Sequence, residues 1–279
     1  MKKDEIVKMI KDEEVAYVDL RFTDPRGKMQ HVTALSDIVD EDWMEEGWMF
    51  DGSSIQGWKS IDQSDMKLMP DAATAYIDPF YAEKTLAMFC SVVEPDTGEL
   101  YERDPRGTAI KAEKYLQDSG VGDTSYWGPE AEFFMFDDVR FSVDINKVGY
   151  EVDAIDGSWN TGAEMEMGNM GHRPGLKGGY FPVNPVDAGQ DIRSEMLSTM
   201  KRSGMAVDKH HHEVASCQHE LGMIFSSLTR QGDMLQRYKY IIHNVAHAYG
   251  KTATFMPKPI KGDNGTGMHV NQSIWKDGK

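Results

Sequence analysis

The sequence predicts an α+β fold made of two successive domains. A chain of 279 residues is longer than one small domain usually needs. Hydrophobic residues make up 40% and charged residues 27% of it, which is typical of a globular protein. Helical periodicity and strand-like alternation both occur on each side of residue 105. We therefore expect a first domain over residues 1–105 and a second over residues 106–279.

The first predicted domain is a small mixed unit. It starts with an amphipathic helix whose apolar residues are Ile6, Val7, Met9 and Ile10. The elements expected after this helix share clear periodicity or turn chemistry: two strands joined by a turn at 24–27, a helix over 36–47, a Gly- and Ser-rich loop over 50–58, and strands over 73–80 and 85–93.

The second predicted domain begins with a helix after Pro105 that Gly120 closes. From about Val139 to Asp187 we expect an irregular stretch, which at that length indicates a functional loop region or disorder. The other elements are expected where periodicity returns: strands over 128–137, near 210–214 and over 267–275, helices over 191–204 and 233–250, the latter with Asp233 as N-cap, and a turn at 276–279.

Charge and cysteine content narrow the class of function. A net charge of −16 argues against nucleic acid as the main partner, because phosphate backbones need basic patches. No apolar run reaches the length of a membrane span, and the N-terminus lacks the apolar core of a signal peptide. Two cysteines, Cys90 and Cys217, are typical of a reducing compartment. We therefore expect a cytoplasmic protein without nucleic-acid or membrane partners.

The segment "GPEAEFFMFD" places two carboxylates in a strand that is rich in phenylalanine. Because strand side chains alternate, Glu130 and Glu132 share one face, roughly 7 Å apart. Burial of such a pair costs several kcal/mol per ion unless it is compensated. Two interpretations remain open from this segment alone: a solvated strand edge and a cation site.

Two further segments show the same polar pattern. In "HHHEVASCQHE", His211 and Glu213 share a face, and Glu220 follows where we expect the chain to turn towards a helix. In "GMHVNQSIW", His269 lies on the polar face of a strand. Together with Glu130 and Glu132 these residues supply four carboxylates and one imidazole, which suit Mg²⁺ or Mn²⁺. The residues alone predict a divalent-metal enzyme that handles phosphate.

Five ordered motifs then make the chain resemble the N-terminal portion of the type I glutamine synthetases. They are "DGSSIQGW", "GPEAEFFMFD", "RPGLKGGYFPV", "HHHEVA" with "QHE", and "KTATFMPKP" with "GDNGTGMH". The resemblance implies an N-terminal β-grasp domain and a catalytic domain with a curved antiparallel sheet, truncated at its C-terminal end. It also implies ATP-dependent formation of glutamine from L-glutamate and ammonium through γ-glutamyl phosphate, with two Mg²⁺ or Mn²⁺ ions per site, in a homo-oligomer of two stacked hexameric rings.

The resemblance also implies roles for individual residues. The metal near glutamate would be bound by Glu132, Glu213 and Glu220, and the metal near phosphate by Glu130 and His269. Asp51, with Ser54 beside it, would take a proton from ammonium. Glutamate would be contacted by Asn264 and Gly265, and ATP by Asp208, Phe225, Asn271 and Ser273.

The chain departs from the family pattern at several places. Asn271 stands where histidine is frequent, Asp208 where glutamate is usual, and Cys217 where a small residue is common. Family members also continue well past Lys279, so we expect a fragment with little activity by itself. The segment Val139–Lys177 resembles the insertion of the subgroup that is regulated by adenylylation, which implies an adenylylating regulator. A glutamate–amine ligase and a short, non-catalytic assembly or regulatory member stay open as alternatives.

Overall fold

The computed structural model describes residues 1–159 and 171–279. These residues form five α-helices, α1 (Lys3–Asp12), α2 (Glu41–Glu46), α3 (Pro105–Ser119), α4 (Gln190–Arg202) and α5 (Leu228–Ala248). They also form fourteen strands: β1 (Tyr17–Thr23), β2 (Met29–Leu35), β3 (Trp48–Asp51), β4 (Asp65–Pro70), β5 (Tyr76–Ile77), β6 (Thr85–Val93), β7 (Thr124–Phe136), β8 (Asp138–Asp144), β9 (Lys147–Asp153), β10 (Val207–His212), β11 (Gln218–Met223), β12 (Ser226–Ser227), β13 (Thr252–Thr254) and β14 (Met268–Trp275). No helix within these described residues is long and apolar enough to cross a membrane.

The first of two compact units contains Met1–Tyr126, Ser226–Gln236 and Ser273–Lys279. Its sheet has the strand order β2-β1-β6-β4-β3, with β5 beside β6. β1 and β6 run parallel, whereas their other pairings are antiparallel. Every residue of β6 is buried, as a central strand covered on both faces requires. The apolar stripe of α1 adds Ile6 and Ile10 to this core, so the predicted amphipathic helix is confirmed.

The second compact unit contains Trp127–Phe225 and Arg237–Gln272. Its sheet has the order β10-β11-β7, and β13 and β14 also pair with β7. The register makes β10, β11 and β13 antiparallel to their partners. Tyr238 of α5 fixes the helix to the sheet, because its hydroxyl donates to the Ala131 carbonyl at 2.6 Å and accepts from the Leu221 N–H at 3.2 Å.

The structure corrects three of the predicted elements. Val139 does not begin an irregular stretch, because β8 and β9 form an antiparallel hairpin; residues 160–170 of that stretch lie outside the described residues. Glu220 does not lie at a turn towards a helix but inside β11. Asp233 is not an N-cap, because α5 begins at Leu228 and the Asp233 carboxylate accepts from Arg106 at 3.0 Å.

Candidate functional site

Three neighbouring strands of the second unit place polar side chains in one row. His211 on β10 lies opposite Glu220 on β11, and Glu220 lies opposite Glu132 on β7. Opposed residues on antiparallel strands have Cβ atoms about 5 Å apart on the same face of the sheet. The register therefore brings two predicted metal ligands together and adds His211, which the sequence placed on the same face as Glu213.

Glu213 follows the end of β10 and completes a compact group with His211 and Glu220. The His211 Nε2 atom lies 2.7 Å from Oε1 of Glu213 and 3.9 Å from Oε2 of Glu220. One possible ligand atom from each residue lies within 4.8 Å of the other two. Carboxylate oxygens with one imidazole nitrogen are a donor set that Mg²⁺ and Mn²⁺ accept, so these side chains fit the cation that the sequence predicts.

Glu132 is held by two hydrogen bonds beside this group. Its carboxylate accepts from the side-chain amide of Gln218 and from the N–H of Gly267, the latter at 3.1 Å. A side chain at position 267 would crowd the same carboxylate, because a Cβ there would lie 3.1 Å from Glu132 Oε1. The predicted ligand is thus fixed in place by two elements that are distant in sequence.

Glu130 and His269 meet at a more exposed part of the same sheet. His269 Nδ1 lies 3.6 Å from Oε2 of Glu130, and these side chains are 83% and 41% exposed. The Asn271 side-chain amide donates to Oε1 of Glu130 at 3.1 Å. The structure therefore brings together the two residues that the resemblance assigns to a second cation, and it adds Asn271 as a partner of Glu130.

Burial raises the pKa of two carboxyl groups in the row. It does so for Glu132 and for Glu220, and the charge of Glu213 adds to the effect in both cases. Burial also works against ionisation of Glu213, but hydrogen bonds from His211 and from the Val214 N–H outweigh it and lower its pKa. Clustered, partly desolvated carboxylates are an arrangement that a divalent cation would stabilise.

A buried histidine–aspartate pair supports the connection that carries Glu213. His212 Nδ1 lies 2.7 Å from the Glu213 carbonyl oxygen, and His212 Nε2 lies 2.9 Å from Oδ2 of Asp156. Asp156 also accepts from the Cys217 N–H at 3.0 Å. The sequence did not predict the role of Asp156. The one available signal was the alternation along β10, which places His212 on the face opposite Glu213.

A second buried carboxylate organises the loop with the predicted glutamate contacts. Asp263 is 1% exposed and accepts from the N–H groups of Lys177, Ser216 and Asn264 at 3.1, 3.1 and 3.0 Å. The Gly265 carbonyl accepts from the Gln218 amide at 2.9 Å. Asn264 and Gly265 are therefore tied to the connection between β10 and β11.

Two of the predicted nucleotide contacts, Asp208 and Ser273, lie on strands β10 and β14, and Phe225 follows β11. The Asp208 side chain on β10 covers Gly222, because a Cβ at Gly222 would collide with it. Phe225 is 60% exposed. Ser273 lies on β14 in the first unit, where its hydroxyl accepts from the Trp275 indole N–H at 2.9 Å.

Asp51 and Ser54 belong to an exposed loop of the first unit. Oδ1 of Asp51 accepts from the N–H and hydroxyl of Ser53 at 2.8 and 2.6 Å, and Oδ2 accepts from the Ser54 hydroxyl at 3.1 Å. These hydrogen bonds, led by those from Ser53, lower the pKa of Asp51. The side chain therefore shapes its own turn and stays ionised.

Comparisons with known proteins show which family this chain resembles. A family model described as "Glutamine synthetase, beta-Grasp domain" matches residues 14–95, and one described as "Glutamine synthetase, catalytic domain" matches residues 102–279. The glutamine synthetases of Cereibacter sphaeroides and Rhodobacter capsulatus are each 72% identical over 97% of this chain. The chain spans 58% and 62% of the length of these two relatives.

A solved structure gives the same result. The cryo-EM structure of Plasmodium falciparum glutamine synthetase is 27% identical, with a TM-score of 0.92, and the match covers 100% of this chain and 55% of that chain. The resemblance and the fold class expected from the sequence are therefore confirmed. The expected domain boundary at residue 105 stays a prediction.

Proposed function

Because this chain belongs to the glutamine synthetase family, we propose that its protein joins ammonium to L-glutamate with the hydrolysis of ATP. The products are L-glutamine, ADP and phosphate. The observation that supports this most is the row of His211, Glu220 and Glu132 with Glu213 beside it. Within it, His211, Glu213 and Glu220 each offer a possible ligand atom within 4.8 Å of the other two.

The reaction joins two anions before it forms an amide. An oxygen of the glutamate side-chain carboxylate forms a bond to the γ-phosphorus of ATP, and the bond between that phosphorus and ADP breaks. Ammonia then forms a bond to the carbonyl carbon of γ-glutamyl phosphate, and phosphate leaves with the former carboxylate oxygen. When bound, two divalent cations would offset the repulsion between glutamate and ATP.

The residues of this chain divide the remaining work. We propose that Glu132, Glu213 and Glu220 hold one cation and that Glu130 and His269 hold the other. Asn264 and Gly265 would contact glutamate, in a loop that Asp263 and Gln218 already fix. The positions proposed to contact ATP are Asp208, Phe225, Asn271 and Ser273.

Asp51 would take a proton from ammonium, which is not a nucleophile while it is protonated. Hydrogen bonds from Ser53 and Ser54 keep the Asp51 carboxylate ionised and orient it. An anion in that position would also attract the ammonium cation, so binding and proton removal could be served by one side chain.

The wider assignments follow from family membership. We propose a cytoplasmic homo-oligomer of two stacked hexameric rings, regulated by an adenylylating enzyme. The segment Val139–Lys177, which holds most of the β8–β9 hairpin, resembles the insertion of the adenylylated subgroup and supports this assignment.

Replacement of Asp51 tests the role of this side chain. In the whole protein, Asp51→Ala should slow glutamine formation by roughly 100-fold, the contribution of a positioned general base. Glutamate-dependent transfer of the γ-phosphoryl group, followed as the ADP formed in a single turnover, should slow much less, because phosphoryl transfer does not need the ammonium proton to be removed. Both rates should be measured in the same reaction mixtures.

Asp62→Ala is the matched control, because Asp62 is also an exposed aspartate that accepts from a nearby serine hydroxyl, at 2.5 Å. It should leave both rates unchanged. An equal loss of both rates in Asp51→Ala, or no loss of glutamine formation, would contradict the proposed role.

A further inference from the structure

The loop that carries Asp51 runs from the end of β3 to the start of β4, and its first half consists of short turns. Asp51 is exposed, so its position depends on the backbone that holds it. The Gly52 N–H donates to the Ser64 carbonyl at 2.7 Å, which closes the loop at its base. The Ile55 N–H donates to the Gly52 carbonyl at 3.2 Å, and the Trp58 N–H donates to the Ile55 carbonyl at 3.1 Å. These hydrogen bonds connect the backbone beside Asp51 to Trp58 in two steps.

Trp58 fixes the far side of this loop in the core of the first unit. Its side chain is buried. Three aromatic rings pack against it with centroids 5.6–6.0 Å away, those of Phe22, Phe50 and Tyr101. Nη1 of Arg103 donates to the Gly57 carbonyl at 2.8 Å and to the Trp58 carbonyl at 3.3 Å. Ring packing and hydrogen bonds to the backbone therefore hold the loop at the same point.

Lys59, the next residue, ties the loop to the end of β6. Its Nζ atom lies 2.8 Å from both carboxylate oxygens of Glu94, which directly follows β6. The same atom lies 5.2 Å from the centre of the Tyr101 ring, within the range of a cation–π contact. The side chains of Lys59 and Glu94 are 18% and 35% exposed. This ion pair is partly withdrawn from solvent, so it is screened less than an exposed pair and restrains the loop more strongly.

We propose that Lys59 is a positioning residue for Asp51: its ion pair with Glu94 fixes the loop, and the loop sets the place of the Asp51 carboxylate. Lys59 acts through the backbone of the loop and not by contact with substrate. A general base must lie within hydrogen-bond reach of the proton that it removes, and misplacement by about 1 Å can slow a reaction by about 100-fold. Lys59 therefore matters for the use of ammonium and not for phosphoryl transfer. The inference rests on the role proposed for Asp51.

Replacement of Lys59 in the whole protein separates the two half-reactions. Lys59→Met keeps most of the apolar stem and removes the charge, and it should lower kcat/KM for ammonium by roughly tenfold, because a looser loop misplaces Asp51. The rate at which ADP forms from ATP and glutamate in a single turnover should stay close to that of the parent. Lys59→Arg should restore most of the ammonium use, because a guanidinium can also pair with Glu94. Circular dichroism of each variant should match that of the parent, which excludes unfolding as the cause of lost activity.

A double-mutant cycle shows whether Lys59 acts through Asp51. In the Asp51→Ala background, Lys59→Met should cause almost no further loss of ammonium use, because no carboxylate is left to position. Residues that act independently would give additive losses instead. Lys84→Met is the matched control, because Lys84 also pairs with a glutamate of the first unit, Glu13, at 3.3 Å. It should leave kcat/KM for ammonium unchanged.

The outcomes separate this inference from the proposed function. If Asp51→Ala leaves glutamine formation unchanged, the role of Asp51 is wrong, and the inference about Lys59 is overturned with it. If Asp51→Ala slows glutamine formation but Lys59→Met does not, Lys59 is not a positioning residue although the role of Asp51 stands. Additive losses in the double variant, or an equal slowing of ADP formation in Lys59→Met, would also overturn the inference and leave the role of Asp51 intact.

Discussion

Removal of the Arg106 guanidinium should strongly destabilise the first unit. The side chain is 10% exposed and bonds the Asp233 carboxylate through Nε at 3.0 Å. It also reaches Asp71 at 2.5 Å and the Ser91 hydroxyl at 2.8 Å. Asp233 is 6% exposed. Arg106→Met would therefore leave a desolvated carboxylate without its charged partner.

The expected loss is about 3–5 kcal/mol of the free energy of unfolding, the usual result when one member of a buried ion pair is removed. Most of it belongs to Asp233, because Asp71 is 38% exposed and can be solvated. Burial already raises the pKa of Asp233 against the effect of Arg106, so protonation of this group would limit the loss. The double variant Arg106→Met/Asp233→Leu should recover most of the stability, because it removes both charges.

Urea unfolding of both variants, followed by fluorescence and circular dichroism, measures the effect. Hydrogen exchange should also accelerate at the amides in the first turns of α5, which contain Asp233. Arg202→Met is the control, because Arg202 is 62% exposed in its pair with Glu195 and should contribute little. A loss below about 1 kcal/mol in Arg106→Met, or an equal loss in the double variant, would refute the reasoning.

Two other predictions concern the support of Glu213. Burial opposes ionisation of Asp156, but hydrogen bonding to His212 outweighs it and lowers the pKa of Asp156 to about 2. The ionised Asp156 therefore stabilises the folded protein above the pKa of the unfolded chain, near 4, and this stabilisation is lost as the pH falls through about 2. Asp156→Asn should lower the free energy of unfolding by about 2 kcal/mol at pH 6. In thermal unfolding at decreasing pH, the stability difference between this variant and the parent should shrink. A difference that stays constant with pH would contradict the ion pair. Gly179→Ala would place a Cβ 2.5 Å from the Glu213 carbonyl oxygen and should weaken Mn²⁺ binding. Gly175→Ala is the control, because a Cβ there would meet open space and should leave Mn²⁺ binding unchanged. Equal Mn²⁺ affinities of the two variants in titrations would contradict this prediction.

Local periodicity predicted the faces of the strands correctly, because it depends on alternation alone. It placed Glu130 with Glu132, and His211 with Glu213, before any pairing was known. It could not predict that His211, Glu220 and Glu132 lie in one row, since the register pairs Glu132 with Glu220, 88 residues later in the chain. His211 was therefore recognised as a neighbour of Glu213 but not as a member of the metal group.

The wrong predictions have physical causes of the same kind. The β8–β9 hairpin lacks a buried face, because most of its residues are exposed, so no hydrophobic alternation marks it. Asp233 precedes an apolar stripe and resembles a helix cap, but its partner Arg106 lies 127 residues earlier in the chain. Interactions of this range are invisible to a pattern read within one segment.

Transfer of oxygen from glutamate to phosphate is the most direct test of the proposed reaction. The whole protein would be given ATP, ammonium and glutamate labelled with ¹⁸O in its side-chain carboxylate, and the released phosphate would be examined by mass spectrometry. One labelled oxygen should appear in phosphate for each glutamine formed, because phosphate leaves with the former carboxylate oxygen. Glutamine formed with unlabelled phosphate, or no glutamine at all, would contradict ligation through γ-glutamyl phosphate.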